Sequence, residues 1–145
     1  MSLKLYKKEK LCSHTAVELL FFNNEAQERV CGSSLVYPWR VVWRVNDARP
    51  EGLRDVAQFL IMVPKKRVRH AVDRVLMRRR CREVYRLHRH LLPEGVAVDM
   101  AFVYVGKPGY LAPYDITCRA VTRLMTRGGR GISGDYGLSE VSLRP

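Results

Sequence analysis

The chain has 145 residues, 47% hydrophobic and 28% charged, with 26 lysines and arginines against 14 acids for a net charge of +12. That length makes a single domain with a modest core, and no stretch approaches the roughly 20 apolar residues of a membrane span. Such a charge points to nucleic acid ahead of an anionic membrane surface, because the apolar residues here belong to strands and a core.

The opening MSLKLYKKEK is charged and no apolar run follows it, so no signal peptide is expected and the cytoplasm is the expected location. A capping-box pattern, Thr15 with Glu18, starts a helix over residues 15–22 with Val17, Leu20 and Phe21 as its apolar stripe. Residues 35–45 alternate as a strand. Leu35, Tyr37, Trp39, Val41, Trp43 and Val45 share one face, and Arg40 and Arg44 the other. Pro38 cannot donate to a ladder and marks an edge or a bulge. An irregular extra strand is possible around residues 29–36.

After the turn-rich NDARPEGL, residues 57–63 (AQFLIMV) are continuously apolar, as in a strand buried on both faces. A long basic helix follows and stops near Leu92-Pro93. VAVDMAFVYV (96–105) makes another strand, with Val96, Val98, Met100, Phe102 and Tyr104 on one side. A last helix runs over 113–126, with Ile116, Ala120 and Leu124 inward and Gly128-Gly129 as its stop. The fold class is therefore α+β, one sheet packed by helices in the order α-β-β-α-β-α. Residues 1–127 are expected to form one nucleic-acid-binding domain and residues 128–145, rich in Gly and Ser, a flexible tail.

Cys12, Cys31, Cys81 and Cys118 are widely spaced, form no C-x-x-C pair and have no matching histidine set, so reduced thiols and no zinc are expected. No motif for protein-based hydrolysis is present.

The basic helix carries the strongest signal. Between Lys65 and Arg89 lie eleven of the lysines and arginines against two acids, Asp73 and Glu83. On a helical wheel Leu76, Met77, Cys81, Val84, Leu87, His88 and Leu91 fall on one side and should bury against the sheet. Arg74, Arg78 and Arg82 repeat at i, i+4 and i+8, with Arg79 beside the row and Arg86 and Arg89 continuing it. Arg80 falls toward the apolar half, to snorkel or to pair with a carboxylate. Like charges at i+4 repel by about 0.2–0.5 kcal/mol per pair. A row that keeps arginine in spite of this fits phosphate, whose oxygens the guanidinium fork matches.

Lys65-Lys66, then Ala71-Val72-x-Arg74-x-x-x-Arg78-Arg79-x-x-Arg82-Glu83-x-Tyr85, resembles the signature of the bacterial ribonuclease P protein component. In that family an S-K-K element ends a strand and a helix of pattern A-V-x-R-N-x-x-K-R-x-x-R-E follows. The likeness covers roughly residues 5–126. Val75 stands where the family has asparagine, Pro64 where it has serine, and Arg78 where it has lysine. The resemblance implies the fold of ribosomal protein S5 domain 2, with a left-handed β-α-β crossover around the basic helix. It also implies a small subunit of a ribonucleoprotein whose RNA is the catalyst, cleaving precursor tRNA at its 5′ end with Mg²⁺ held mainly by RNA. The partners implied are ribonuclease P RNA and precursor tRNA, with no membrane and no obligate protein partner.

By the same resemblance Arg74, Arg78, Arg79, Arg82 and Arg86, with Lys65 and Lys66, would contact RNA. Val17, Phe21, Tyr37 and Trp43 would line a cleft for the single-stranded 5′ leader, consistent with the stacking that holds unpaired bases. Two other readings of the residues stay open. One is a ribosomal or general structured-RNA-binding protein without a processing role, the other a DNA-binding module that inserts the arginine helix into the major groove.

Overall fold

The computed structural model describes residues 9–11, 17, 31–45, 52, 56–93 and 95–135. Four strands, β1 (Cys31–Val36), β2 (Trp39–Val45), β3 (Gln58–Met62) and β4 (Val98–Tyr104), form one sheet in the order β1-β2-β4-β3. Two helices accompany it, α1 (Ala71–His88), prolonged by a 3-10 turn over Arg89–Leu91, and α2 (Tyr114–Asp135). β2 pairs antiparallel with both β1 and β4, while β3 and β4 are parallel neighbours joined by α1 as the crossover. This is the expected α+β arrangement. The expected first helix falls outside the described residues except for Val17, which is helical.

The alternation in β2 decides which face is buried. Trp39, Val41, Trp43 and Val45 meet Phe59 and Ile61 of β3 and Val98, Met100, Phe102 and Tyr104 of β4 in one core. The helices cover that face through Met77, Cys81, Val84 and Tyr85 of α1 and Ala120, Val121, Leu124, Met125 and Ile132 of α2. Each fully buried Val, Leu, Ile, Phe or Met among them is worth about 1.5–3 kcal/mol. Tyr85 fastens α1 to the sheet, stacked on Phe59 at 4.0 Å between ring centres and edge-on to Phe102 at 5.9 Å. The opposite sheet face carries a smaller cluster in which Leu11 and Val17 pack with Val42, Leu60 and Ala101. Leu11 N–H donates to the Phe59 carbonyl at 2.9 Å, which lays the N-terminal segment along the β3 edge.

Several expectations are corrected. The strand expected over 35–45 is broken, because Tyr37-Pro38, a cis peptide, forms the two-residue turn of a β1–β2 hairpin. Pro38 has no N–H to give a ladder, so it sits where the ladder ends. The turn breaks the alternation, and Leu35 and Tyr37, expected beside Trp39, are each 56% exposed. Arg44, expected on the face opposite Trp43, is there but buried, in a cross-strand row with Asp99, itself the register partner of Gln58. β3 is not closed on both faces, since Met62 is exposed. On α1, Leu76 is exposed and Tyr85 takes the buried place.

The last helix does not stop at Gly128-Gly129 but continues to Asp135, so residues 128–135 are helix rather than tail. Its glycines are contact points. A methyl group at Gly131 would stand 2.7 Å from the Trp43 ring, and one at Gly129 2.5 Å from the Leu91 carbonyl. The helix lies too close to β2 and to the 3-10 turn for side chains there. No helix among the described residues is long and apolar enough to cross a membrane.

Candidate nucleic-acid interface

The chain leaving β3 turns sharply at Pro64, whose carbonyl accepts from both Arg67 and Val68 N–H at 3.0 Å. The turn throws Lys65 and Lys66 into solvent. α1 then begins behind an extended His70, with Asp73 in its first turn where a carboxylate suits the positive end of the helix dipole. Arg74 curls back to close the turn, its Nη1 donating to the carbonyls of Val68 at 3.1 Å and Arg69 at 2.8 Å.

The loop before α2 is laced to the same turn. Gly109 N–H donates to Arg67 O at 3.3 Å, and Arg67 Nη1 donates to Gly106 O at 3.5 Å. Between turn and loop lies a cavity of about 580 Å³ walled by Lys65, Lys66, Arg67, Arg69, His70 and Gly109, with Asp73 as its acid. A concavity with that lining favours an anion.

Along α1 the arginines divide into spent and unspent. Among the described residues Arg78, Arg79 and Arg82 make no hydrogen bond or ion pair, and neither do Lys65 and Lys66. Arg86 is bound to Glu83: its Nε donates to Oε2 at 3.2 Å and its Nη2 to Oε1. That hydrogen bond holds the Glu83 carboxyl below its usual range. Arg80 neither snorkels nor meets a carboxylate. It donates to the Ala112 carbonyl at 2.6 Å and so ties α1 to the loop before α2. Arg89 is clamped on Glu9, Nη1 lying 2.7 and 2.8 Å from the two carboxylate oxygens. The outer surface of α1 is thus a rigid comb of Arg78, Arg79 and Arg82 with exposed Val72 and Val75 among them. Val75, the departure from the family pattern, is 38% exposed and buries no polar group.

The expected leader cleft does not assemble as stated. Trp43 is 5% exposed within the helix-side core, whereas Val17 packs on the opposite sheet face, so the sheet separates them. The cause is strand parity, since Trp43 points with Val41 and Val45 toward the helices. Tyr37 is exposed in the hairpin turn, its ring 6.5 Å from Tyr110 and nearly parallel, and its hydroxyl accepts from Lys107 N–H at 2.8 Å. Phe21 lies outside the described residues. The side chains that share Val17's face are Leu11, Val42, Leu60 and Ala101, with Arg40 exposed on β2 at the same parity. The signal for them was in the sequence: Arg40 and Arg44 mark the parity turned away from the helices, and Val42 lies between them.

Burial pushes the Cys81 thiol far above its ordinary range, which leaves it an inert core residue. No group of three or more His, Cys, Asp or Glu side chains able to hold a metal ion occurs among the described residues.

Comparison with known proteins gives concordant matches. The family model for ribonuclease P matches residues 3–128. Two proteins called ribonuclease P protein component, from two strains of Porphyromonas gingivalis, are each 36% identical over 88 residues. The matched stretch is 61% of this chain and 57% of each relative, less than two thirds of their length. Among solved structures, the RNase P protein of Staphylococcus aureus aligns with a TM-score of 0.63 at 15% identity, covering 83% of this chain and 94% of that one. The RNase P protein of Thermotoga maritima aligns with a TM-score of 0.61 at 19% identity, covering 82% and 96%. At these identities the structural likeness concerns the fold.

Proposed function

The chain belongs to the ribonuclease P protein family, and we propose that it is the protein subunit of a cytoplasmic ribonucleoprotein that cleaves the 5′ leader from precursor tRNA. In this reading its partners are ribonuclease P RNA and precursor tRNA, with no obligate protein partner, and the RNA performs the cleavage. The observation that carries the proposal is the unspent comb. Arg78, Arg79 and Arg82 stand on a helix anchored by its other face, with no internal partner among the described residues. Such a comb suits the phosphate backbone of structured RNA, where contacts of this kind fix register without reading sequence. Lys65 and Lys66, at the basic cavity beside the β3 end, would take the phosphates of the substrate.

The leader would lie on the sheet face that carries Val17, where Val42 and Leu60 offer apolar surface and Arg40 offers charge. Tyr37, in the hairpin turn, would serve as a separate stacking platform with Tyr110. The described side chains form no carboxylate cluster that would suit Mg²⁺. In this reading Mg²⁺ would be held mainly by the RNA. The protein's part is to position substrate and to screen phosphates.

The test is reconstitution of the protein with a ribonuclease P RNA transcript and a precursor tRNA carrying a 5′ leader. The protein should lower the magnesium concentration required for cleavage, and a tRNA without the leader should lose part of its protein-dependent affinity. RNA binding with no change in magnesium requirement would instead make this a general structured-RNA-binding protein. Tighter binding to duplex DNA than to structured RNA at one salt concentration would favour a DNA module.

A further inference from the structure

We propose that the outer face of α2 is a second RNA-binding surface, separate from that of α1, so that the protein ties together two segments of structured RNA. Arg119, Arg123, Arg127 and Arg130 are all exposed. Their spacing of four, four and three residues confines them to less than a quarter of the helix circumference, in a row about 16 Å long. No acid lies in the sequence between Asp115 and Asp135, so no carboxylate interrupts the row. Arg119, Arg123 and Arg130 make no hydrogen bond or ion pair among the described residues. Arg127 donates to Ser34 Oγ at 3.2 Å and to the Leu35 carbonyl at 3.3 Å, which pins the row over the β1 edge. Ala120, Val121, Leu124, Met125 and Ile132 are sunk in the core beneath it, so the guanidinium groups stand on a fixed rod.

The two arginine rows face away from each other. α1 lies over β3 and α2 over β1 and β2. On α1, Arg80 reaches the segment just before α2, and Arg78 and Arg82 lie each two residues away, nearly opposite on the wheel. On α2, Tyr114 lies beside Glu83 and Arg86 of α1, while the arginine row lies on the far side, toward β1. Both helix bodies therefore stand between the rows, and one phosphate backbone cannot follow both.

Charge complementarity selects the occupant. Arginine without lysine or interspersed acid suits phosphate oxygens. A lipid surface would need bulky apolar side chains exposed beside the row; Val121, Leu124, Met125 and Ile132 are spent in the core, and the exposed Tyr114 lies on the opposite side of the helix. The choice of RNA rests on the reading proposed above, whereas the existence of a second polyanion surface does not.

The experiment compares two triple variants of the full chain, Arg119→Ala/Arg123→Ala/Arg130→Ala and Arg78→Ala/Arg79→Ala/Arg82→Ala, binding a ribonuclease P RNA transcript over a salt series. Arg127 is kept because it holds β1. Each triple should lower the slope of log K against log salt by about two to three units. The losses should add when the two are combined, since the sites do not touch. A photo-crosslinking residue in place of Arg123 should mark different nucleotides from one in place of Arg79. A wild-type slope for the α2 triple, with the α1 triple impaired, overturns the second surface and leaves the first reading intact. Wild-type slopes for both triples overturn the RNA reading itself. Crosslinks to the same nucleotides overturn the two-segment arrangement, and loss of binding to phosphatidylserine vesicles with unchanged RNA binding assigns the row to a membrane surface.

Discussion

Trp43 and Gly131 are in direct contact across the sheet–helix interface: a methyl group on Gly131 would stand 2.7 Å from Cζ2 of the indole. Gly32 of β1 is equally close on its own side, so the ring occupies a slot walled by glycines. Gly131→Ala gains about 1 kcal/mol of helix propensity but overlaps a ring that has nowhere to go, at about 1–3 kcal/mol. Gly128→Ala meets Met100 Cε at 3.5 Å and Trp43 Cδ1 at 3.7 Å, ordinary contact distances. The expected outcome in urea unfolding is destabilisation by Gly131→Ala and stabilisation of up to about 1 kcal/mol by Gly128→Ala. Two substitutions of equal sign would mean that the slot is not rigid.

The same slot marks where sequence reading was sufficient and where it was not. Alternation showed that Trp39, Val41, Trp43 and Val45 share a face, and the 3.6-residue period showed the arginine row of α1, because each is a local pattern. The cleft role for Trp43 comes from the family resemblance alone, whereas its parity, opposite to Arg40 and Arg44, turns it into the core. Gly128-Gly129 has the composition of a helix stop, and only the nearness of Trp43 and Leu91 O turns it into an interface. Pro38 breaks a ladder, but a proline that ends a strand and one that bulges it look alike until the partner strand is known. The tasks of Arg74 and Arg80 were invisible for a similar reason. Their acceptors are backbone carbonyls, which every residue has and which no sequence pattern announces.

Arg74 and Arg79 should therefore separate although both belong to the expected RNA-contacting set. Arg74 satisfies two carbonyls of the turn before α1, whereas Arg79 has no partner among the described residues. Arg74→Ala should cost about 1–2 kcal/mol of stability as well as RNA affinity, from the lost hydrogen bonds. Arg79→Ala should leave stability within about 0.5 kcal/mol and lower the salt dependence of binding by about one unit. Thermal melts beside salt-series binding check both, and an Arg79→Ala variant with unchanged slope would remove Arg79 from the interface.

Glu9 and Arg89 hold the N-terminal segment to the end of α1, eighty residues away in sequence, through two contacts of 2.7 and 2.8 Å. Both side chains are largely screened from water, 12% and 20% exposed, so the pair should be worth more than a surface ion pair. A double-mutant cycle of Glu9→Gln and Arg89→Met should give a coupling energy of about 1–3 kcal/mol. Hydrogen exchange at Leu11, whose N–H is bonded to Phe59 O, should quicken in either single variant. A coupling near zero would mean that the segment is held by Leu11 and the apolar cluster alone.

Tyr104 gives the fold a dependence on alkaline pH. Its hydroxyl donates to the Tyr110 carbonyl at 2.6 Å and accepts from Ala112 N–H at 3.3 Å, fixing the loop that leads into α2. Burial raises its phenol above the ordinary value of about 10, and the Ala112 N–H opposes this only in part. The unfolded chain therefore loses this proton first. The contribution of Tyr104 to stability is whole below about pH 10 and is lost as pH rises through the folded-state value. Urea midpoints should fall from about pH 10 upward. Tyr104→Phe should be less stable at neutral pH by about 1–3 kcal/mol, since it leaves a buried N–H without its acceptor, and should show a shallower alkaline decline. Equal alkaline slopes for the two proteins would assign the effect to another tyrosine, of which Tyr114, also raised, is the next to replace.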